Sequence, residues 1–312
     1  MTYIRQAVFL LLSSFLLPQI SFAQVRVVTE LKDDWKFSRG KNDQAFQVRF
    51  DDKSWQTVRV PHDWAIYGPF DKEIDKQVVQ ITQNNEKVAS EKTGRTGALP
   101  YIGEGWYRKS FSLPHFKRGQ KALILFEGAM SEPKVFLNGQ KVGEWNYGYN
   151  YFYFDITDHL SAGGKNLLAV HLNNAAQSSR WYPGAGLYRK VSIIVKNAES
   201  IDQWGTFITT PLVTGELAKV NIKTRVTGKG VRLVTNILDA NGVSVASNTT
   251  GTIFGKEFDQ NIAVAHPKLW SPETPYLYTA VSKLYIGNKL TDEVTTRFGI
   301  RTINYQPATG FQ

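Results

Sequence analysis

The chain has 312 residues, 13% aromatic residues, no cysteine and a formal net charge of +10. This length suits two domains better than one ordinary sandwich, and the missing cysteine excludes disulfides and a lipid-modified N-terminal cysteine. Basic residues are dispersed in short pairs such as Arg108-Lys109, without a run of five or more. We therefore expect no nucleic-acid partner.

The first 23 residues have the pattern of an export signal. Arg5 supplies the positive start, residues 7–17 are apolar but too short to span a bilayer, and Ser21-Phe22-Ala23 is a small-x-small cleavage site. The pattern predicts a signal peptide over 1–23, whose single charge, Arg5, lowers the net charge from +10 to +9 when it is removed. We expect a soluble periplasmic or extracellular protein without a membrane segment.

We assign residues 24–198 to the first of two domains. Trp35 and Phe37 share one face of a predicted strand, residues 121–126 form a buried strand, and residues 166–172 form another. Asn138-Gly139 between two strand patterns predicts a tight hairpin, because its turn needs positive φ at both positions. About eight strands without an amphipathic helix predict an all-β, jelly-roll type β-sandwich.

Two segments of this domain invite a functional interpretation. His62 and Asp63 are residue types that could act as an acid–base pair. Neighbouring residues of an extended chain point to opposite sides, however, which favours a structural role for both. Residues 71–95 are polar and lysine-rich without hydrophobic periodicity, which predicts a long surface loop of unassigned role.

The loop within residues 173–195 is the main candidate site. Pro183, Gly184 and Gly186 allow a sharp bend before a strand, and the bend carries Arg180, Trp181 and Tyr182. Aromatic faces and guanidinium donors together suit a sugar, whose C–H faces stack and whose hydroxyls need hydrogen-bond partners. The alternative is a packed corner in which the aromatic residues belong to the core.

Residues 199–303 have shorter and plainer strand patterns. About seven short strands with regularly spaced turns predict an immunoglobulin-like β-sandwich without its disulfide. The five histidines show no ligand spacing, so we expect neither a metal site nor a cofactor.

Six motifs, in order and spacing, resemble the front part of glycoside hydrolase family 2. They are PHDW at 61–64, GEGWYRKSF at 103–111, FEGAMSEPKVFLNGQKVGEW at 126–145, RWYPGAGLYRKV at 180–191, LWSPETPYLY at 269–278 and RFGIRTI at 297–303. The form of the fourth motif is most similar to that of exported bacterial β-galactosidases, although β-mannosidases and β-glucuronidases share this front end.

The resemblance implies a sugar-binding jelly roll and an immunoglobulin-like domain, followed in the family by a catalytic (β/α)8 barrel. Residues 304–312 resemble the first strand of that barrel, so we expect the chain to lack the rest of it. Both catalytic glutamates belong to the barrel in this family, which implies no catalytic residue here and no hydrolysis by the chain alone. Asn85-Glu86 matches the acid's Asn-Glu pair only by coincidence, since it lies in the polar segment.

The resemblance also implies that the loop carrying Arg180 reaches the barrel mouth and contacts a β-galactoside-type glycan, with Trp181 and Tyr182 beside it. Several branches of the family have aspartate where this chain has Arg180, and guanidinium donates hydrogen bonds but cannot accept them. Alternatively, Arg180 makes an interdomain ion pair. A second hypothesis for the whole chain is a stand-alone carbohydrate-binding or adhesive protein made of two sandwiches.

Overall fold

The computed structural model describes residues 25–67, 71, 73, 76–93, 103–161, 163–175 and 184–311. Within these ranges the chain forms strands and two short 3-10 turns, Thr82–Asn84 and Thr157–His159, and no α-helix. The prediction of an all-β fold with a jelly-roll type sandwich and an immunoglobulin-like sandwich is confirmed. The signal-peptide prediction over 1–23 lies outside the described residues.

The first sandwich consists of two antiparallel sheets. Its strands, with a separate hairpin formed by the fourth and fifth, are β1 Arg26–Glu30, β2 Trp35–Arg39, β3 Gln56–Val58, β4 Lys76–Val79, β5 Ser90–Thr93, β6 Gly103–Ser112, β7 Gln120–Phe126, β8 Lys134–Leu137, β9 Gln140–Glu144, β10 Phe152–Asp155, β11 Lys165–Asn174 and β12 Val191–Asn197. One sheet has the order β1-β12-β7-β10 and the other β3-β2-β6-β11-β8-β9.

Strand alternation places the large apolar side chains of this sandwich in one core. Trp35 and Phe37 point inward from β2, and Tyr107 and Phe126 join them from β6 and β7. Each of these rings removes a large apolar area from water, which is the main favourable term in folding. The predicted hairpin is confirmed, because β8 pairs with β9 around Asn138-Gly139, which both have positive φ.

The predicted long surface loop over residues 71–95 contains strands that the sequence did not indicate. Within it, β4 and β5 pair as an antiparallel hairpin, with Lys76 opposite Thr93 and Val79 opposite Ser90. The hairpin belongs to neither large sheet, so it needs no apolar face, and hydrophobic periodicity could not reveal it. Glu86 accepts a hydrogen bond from the Ile81 amide at 2.7 Å and pairs with Lys92 at 3.2 Å, and both contacts hold the hairpin together.

The second sandwich pairs a three-stranded sheet, β13-β14-β17, with a four-stranded sheet, β16-β15-β18-β19, and a small hairpin, β20-β21, follows. Its strands are β13 Ser200–Val213, β14 Leu217–Thr227, β15 Val231–Leu238, β16 Ser244–Ile253, β17 Glu257–Ala265, β18 Tyr278–Ile286, β19 Lys289–Phe298, β20 Tyr305–Gln306 and β21 Gly310–Phe311.

The core of this second sandwich mixes apolar and polar contacts. Val220, Ile222 and Ile262 alternate inward along β14 and β17. Further along, the buried Thr235 hydroxyl donates to Gln260 Oε1 at 2.6 Å and lies 3.2 Å from the Ser282 hydroxyl. Because both partners of each bond are present, this polar network avoids the penalty of an unsatisfied buried group.

Candidate functional site

Three of the sequence motifs meet at one corner of the first sandwich. Met130 and Gly186 exchange two backbone hydrogen bonds, both 2.9 Å long. The His62 amide donates to the Leu187 carbonyl at 2.8 Å, and the Trp64 amide donates to the Ala185 carbonyl at 2.9 Å. Segments that are far apart in the chain therefore form one backbone unit, which we call the corner and define as residues 61–65, 129–132 and 184–188.

The corner holds both ends of the candidate loop. On the entry side, the Asn173 amide donates to the Ser131 carbonyl at 2.8 Å, and the Ser131 hydroxyl donates to the Asn173 carbonyl at 2.6 Å. On the exit side, Asp63 Oδ1 accepts the amide of Ala185 at 3.1 Å. The Asn174 side-chain amide also reaches the Gly184 carbonyl at 3.3 Å, which joins the two ends directly.

The predicted contact residues Arg180, Trp181 and Tyr182 lie between these two ends and outside the described residues. Their contact with a sugar stays a prediction. The structure does show that the backbone on either side of them is fixed by hydrogen bonds to two other motifs.

Gly186 is the position where the corner tolerates only glycine. Its φ is +122°, a conformation that side chains with a Cβ rarely adopt. A Cβ there would also collide with the Tyr107 hydroxyl and the His62 carbonyl oxygen. The second glycine of the GAGLY sequence therefore permits the close approach of the three segments.

His62 and Asp63 have separate partners, as the alternation of an extended chain predicts. His62 Nδ1 lies 2.7 Å from the Tyr107 hydroxyl inside the core, whereas Asp63 Oδ1 accepts the amides of Ala65 and Ala185. Burial, reinforced by the charge of Arg39, lowers the pKa of His62 to about 4, and burial raises the pKa of Tyr107 well above its ordinary value. His62 is thus neutral and shares a buried hydrogen bond with the Tyr107 hydroxyl, so its role is structural.

Tyr188 connects the corner to the segment around Gly148, 40 positions earlier in the chain. Its hydroxyl donates to the Gly148 carbonyl at 2.7 Å, and the guanidinium of Arg189 lies over its ring at 5.4 Å from the centroid. Gly128 makes room for the ring, since a Cβ there would lie 2.8 Å from Tyr188 Cζ. The exposed Arg189 side chain therefore lies against the Tyr188 ring.

The acidic side chains near the corner also make structural contacts. Glu104 Oε2 lies 2.9 Å from His171 Nε2, and Glu132 Oε2 accepts the Asn173 side-chain amide at 3.0 Å. Across the part of the chain that the structure describes, no three His, Cys, Asp or Glu side chains are grouped so as to hold a metal ion. In the same residues, no helix has the length and apolarity needed to cross a membrane.

Sequence reasoning missed Asp63, Ser131 and Asn174 as anchors of the loop. Their residue types carry a signal, because Asp, Asn and Ser side chains commonly bond to nearby backbone groups. Nothing in the sequence, however, shows that Asp63 bonds to an amide 122 positions away.

A groove on the second sandwich is a separate feature. It has a volume of about 580 Å³ and includes residues of β13 and of the RFGIRTI motif. On its wall, the Arg301 guanidinium lies over the Trp270 ring at 4.6 Å from the centroid. The groove is on the other domain from the corner, and none of the described residues that line it is a carboxylate.

Comparison with known families identifies the class of protein to which this chain belongs. Residues 28–197 match the model of the glycosyl hydrolases family 2 sugar binding domain, and residues 200–301 match the glycosyl hydrolases family 2 model that follows it. The chain belongs to glycoside hydrolase family 2.

Individual relatives agree with this assignment. A β-galactosidase of Bacteroides ovatus is 36% identical over 301 residues, covering 93% of this chain and 33% of that protein. A putative β-glucuronidase of Formosa agariphila is 33% identical over 289 residues, covering 92% of this chain and 26% of that protein. The chain thus spans about a third or less of the length of these relatives.

Solved structures show the same arrangement of sandwiches. A family 2 member from Bacteroides cellulosilyticus has a TM-score of 0.78 at 31% identity, covering 91% of this chain and 36% of that one. A β-glycosidase from Bacteroides vulgatus has a TM-score of 0.80 at 28% identity, covering 92% of this chain and 35% of that one. The chain therefore corresponds in sequence and fold to the front part of family 2 proteins.

Proposed function

We propose that this chain is the non-catalytic front part of an exported family 2 hydrolase that acts on a β-galactoside-type glycan. In this role the two sandwiches carry a catalytic (β/α)8 barrel, and the loop over residues 176–183 contacts the sugar. The observation that carries the proposal is the corner, where Asp63, Ser131 and Asn174 fix both ends of that loop.

The acidic groups of the first sandwich support a non-catalytic role. A retaining glycosidase needs two carboxyl groups about 5 to 5.5 Å apart, one as nucleophile and one as acid and then base. Glu104, beside the corner, and Glu132, within it, are instead engaged with His171 and Asn173. The proposal therefore assigns the reacting pair to the barrel.

Arg180, Trp181 and Tyr182 supply the sugar contacts in this proposal. The guanidinium donates to ring hydroxyls and the aromatic faces stack on C–H groups. The galactoside assignment follows the Bacteroides ovatus relative, which is named a β-galactosidase, whereas the Formosa agariphila relative is named a putative β-glucuronidase. A glucuronide would add a carboxylate, to which an arginine is a suitable partner.

Two measurements test the catalytic assignment. The purified chain, freed of host glycosidases, is expected to release no product from an aryl β-galactoside, and the DNA after codon 312 is expected to encode a barrel. Turnover by the chain that disappears when two of its own carboxylates are changed to amides would overturn the proposal. A stop codon after Gln312 in independent isolates, combined with glycan binding, would favour the stand-alone binding protein.

The loop and export assignments have their own tests. In the complete enzyme, Arg180→Ala is expected to raise KM for the galactoside about tenfold, equivalent to about 1.4 kcal/mol of binding. Arg232→Ala, which removes a guanidinium stacked on Tyr285 of the second sandwich, is the matched control and is expected to leave KM unchanged. N-terminal sequencing of the secreted protein is expected to begin at Gln24.

A further inference from the structure

Exposed aromatic side chains are concentrated where the two sandwiches meet. Tyr153 lies in β10 and Tyr151 lies just before it, while Trp204 comes from β13 of the second sandwich. The Trp204 ring centroid is 5.2 Å from that of Tyr153 and 6.3 Å from that of Tyr151, and both contacts are edge-to-face. We call these three residues the junction patch.

The patch stays open to solvent after these contacts. Trp204 is 52% exposed, Tyr151 47% and Tyr153 37%. Single exposed aromatic residues are common on protein surfaces, whereas these contacting rings from two domains form one contiguous apolar surface. The packing of the two domains against each other therefore buries only part of the surface of each ring.

The backbone at Trp204 is shaped to present the indole. Its φ is +54°, which is unusual for a bulky residue, and a register shift in the β13–β14 pairing between Ile201 and Thr206 marks a bulge. Gly205 follows, and a Cβ there would lie 2.8 Å from the Arg225 carbonyl oxygen. Strained positions of this kind persist where the surrounding structure enforces them, and they are concentrated at functional sites.

The patch is electrically neutral. Residues 145–154 contain no charged side chain, on a chain whose net charge is +10. The charged residues closest in sequence are engaged, since Asp155 pairs with Lys121 at 3.5 Å and Asp202 accepts the Thr227 hydroxyl at 2.8 Å. The three side chains of the patch thus offer apolar faces and phenol tips without a charge of their own, which suits a ligand with apolar faces and hydroxyl groups.

The same segment continues towards the corner. Tyr147 and Tyr149 form a second exposed pair with ring centroids 5.5 Å apart, and the Tyr188 hydroxyl bonds to Gly148 between them. Aromatic side chains thus recur along residues 147–153, between the corner and the junction patch. An extended ligand, rather than a single sugar, matches this distribution.

We propose that the junction patch binds a neutral oligosaccharide, with sugar rings stacked on Trp204 and Tyr151. Amphipathic rings with polar tips and without charge suit the C–H faces and hydroxyls of a neutral pyranose chain. The family model that covers the first sandwich is that of a sugar binding domain. None of the three patch residues belongs to the segment 176–183, so the inference does not depend on the role proposed for Arg180.

Calorimetric titration of the 312-residue chain with galactotetraose, cellotetraose and mannotetraose tests the inference. At least one of these neutral tetrasaccharides is expected to bind, and the acidic analogue tetragalacturonate is expected to bind more weakly. Trp204→Ala and Tyr151→Ala are each expected to weaken binding about tenfold or more. Trp204→Phe keeps a flat ring and is expected to retain most of the affinity.

Phe254→Ala is the matched control, because Phe254 is an exposed aromatic residue of the same sandwich outside the patch. Tyr151→Ala leaves the bulge in β13 intact, so it keeps the test valid if Trp204→Ala disturbs the domain junction. The inference is overturned if no neutral tetrasaccharide binds, or if both alanine variants bind as the parent does. Concentration-dependent dimerisation that Trp204→Ala abolishes, without glycan binding, would assign the patch to a second copy of the chain.

Discussion

Arg26 and Asp292 lie 266 positions apart and form a two-pronged ion pair between the sandwiches. Arg26 Nη2 is 2.6 Å from Asp292 Oδ2, and Arg26 Nε is 3.1 Å from Asp292 Oδ1. The same carboxylate accepts the Ile201 amide at 2.8 Å, and Arg26 donates to the Ile201 carbonyl at 2.6 Å. One fully buried carboxylate, that of Asp292 in β19, therefore contacts both β1 of the first sandwich and β13 of the second.

Asp292→Ala is expected to lower the free energy of unfolding by about 3–5 kcal/mol, because it leaves a mostly buried guanidinium without its partner. Urea unfolding followed by circular dichroism measures this change. Glu293→Gln is the matched control at the next position, where the carboxylate forms a half-exposed pair with Lys283 at 3.3 Å. The control is expected to change stability by about 1 kcal/mol or less, and equal losses in both variants would contradict the assignment.

Gly186→Ala is expected to destabilise the corner by at least about 3 kcal/mol, since it adds backbone strain to a collision with Tyr107 and His62. Differential scanning calorimetry provides the measurement. Gly119→Ala separates the two causes, because Gly119 also has positive φ but no atom lies within 4 Å of the added Cβ. The control is expected to cost about 1–2 kcal/mol, and a similar loss at both sites would refute the steric argument.

Asp63→Ala is expected to increase amide hydrogen exchange at Ala65 and Ala185, because both amides lose the acceptor Oδ1. The expected loss of stability is about 1–3 kcal/mol, the usual penalty for unsatisfied backbone donors. Asp63→Asn retains an oxygen acceptor and is the matched control. Unchanged exchange in the alanine variant would show that Asp63 does not anchor the loop.

Because its pKa is lowered in the folded protein, His62 is expected to make the free energy of unfolding depend on pH. Its folded-state pKa of about 4 lies below its value of 6.5 in the unfolded chain, so the unfolded state binds more protons between these values. The contribution of His62 to the free energy of unfolding is therefore complete above pH 6.5. It decreases by up to about 2–3 kcal/mol as the pH falls towards 4. Below pH 4 this contribution changes no further.

Unfolding midpoints measured from pH 7 to pH 4 test this dependence. His62→Gln is expected to flatten the profile, although its stability at pH 7 is lower because the Tyr107 hydroxyl loses its hydrogen bond to the imidazole. His115→Gln, the same change at an exposed position, is the matched control. A profile for His62→Gln as steep as that of the parent would assign the pH dependence to other groups.

The amino-acid sequence by itself determined the strand content, the Asn138-Gly139 hairpin and the family, because strand alternation and turn chemistry are local and the six motifs can be read in order. It did not reveal the hairpin of β4 and β5, whose polar strands have no core to face. Only the tertiary structure decided that Asp63 reaches Ala185, that Arg26 pairs with Asp292 and that Trp204 meets Tyr153. These contacts join segments far apart in the chain, and local periodicity carries no record of which distant backbone a side chain will meet once the sheets have packed.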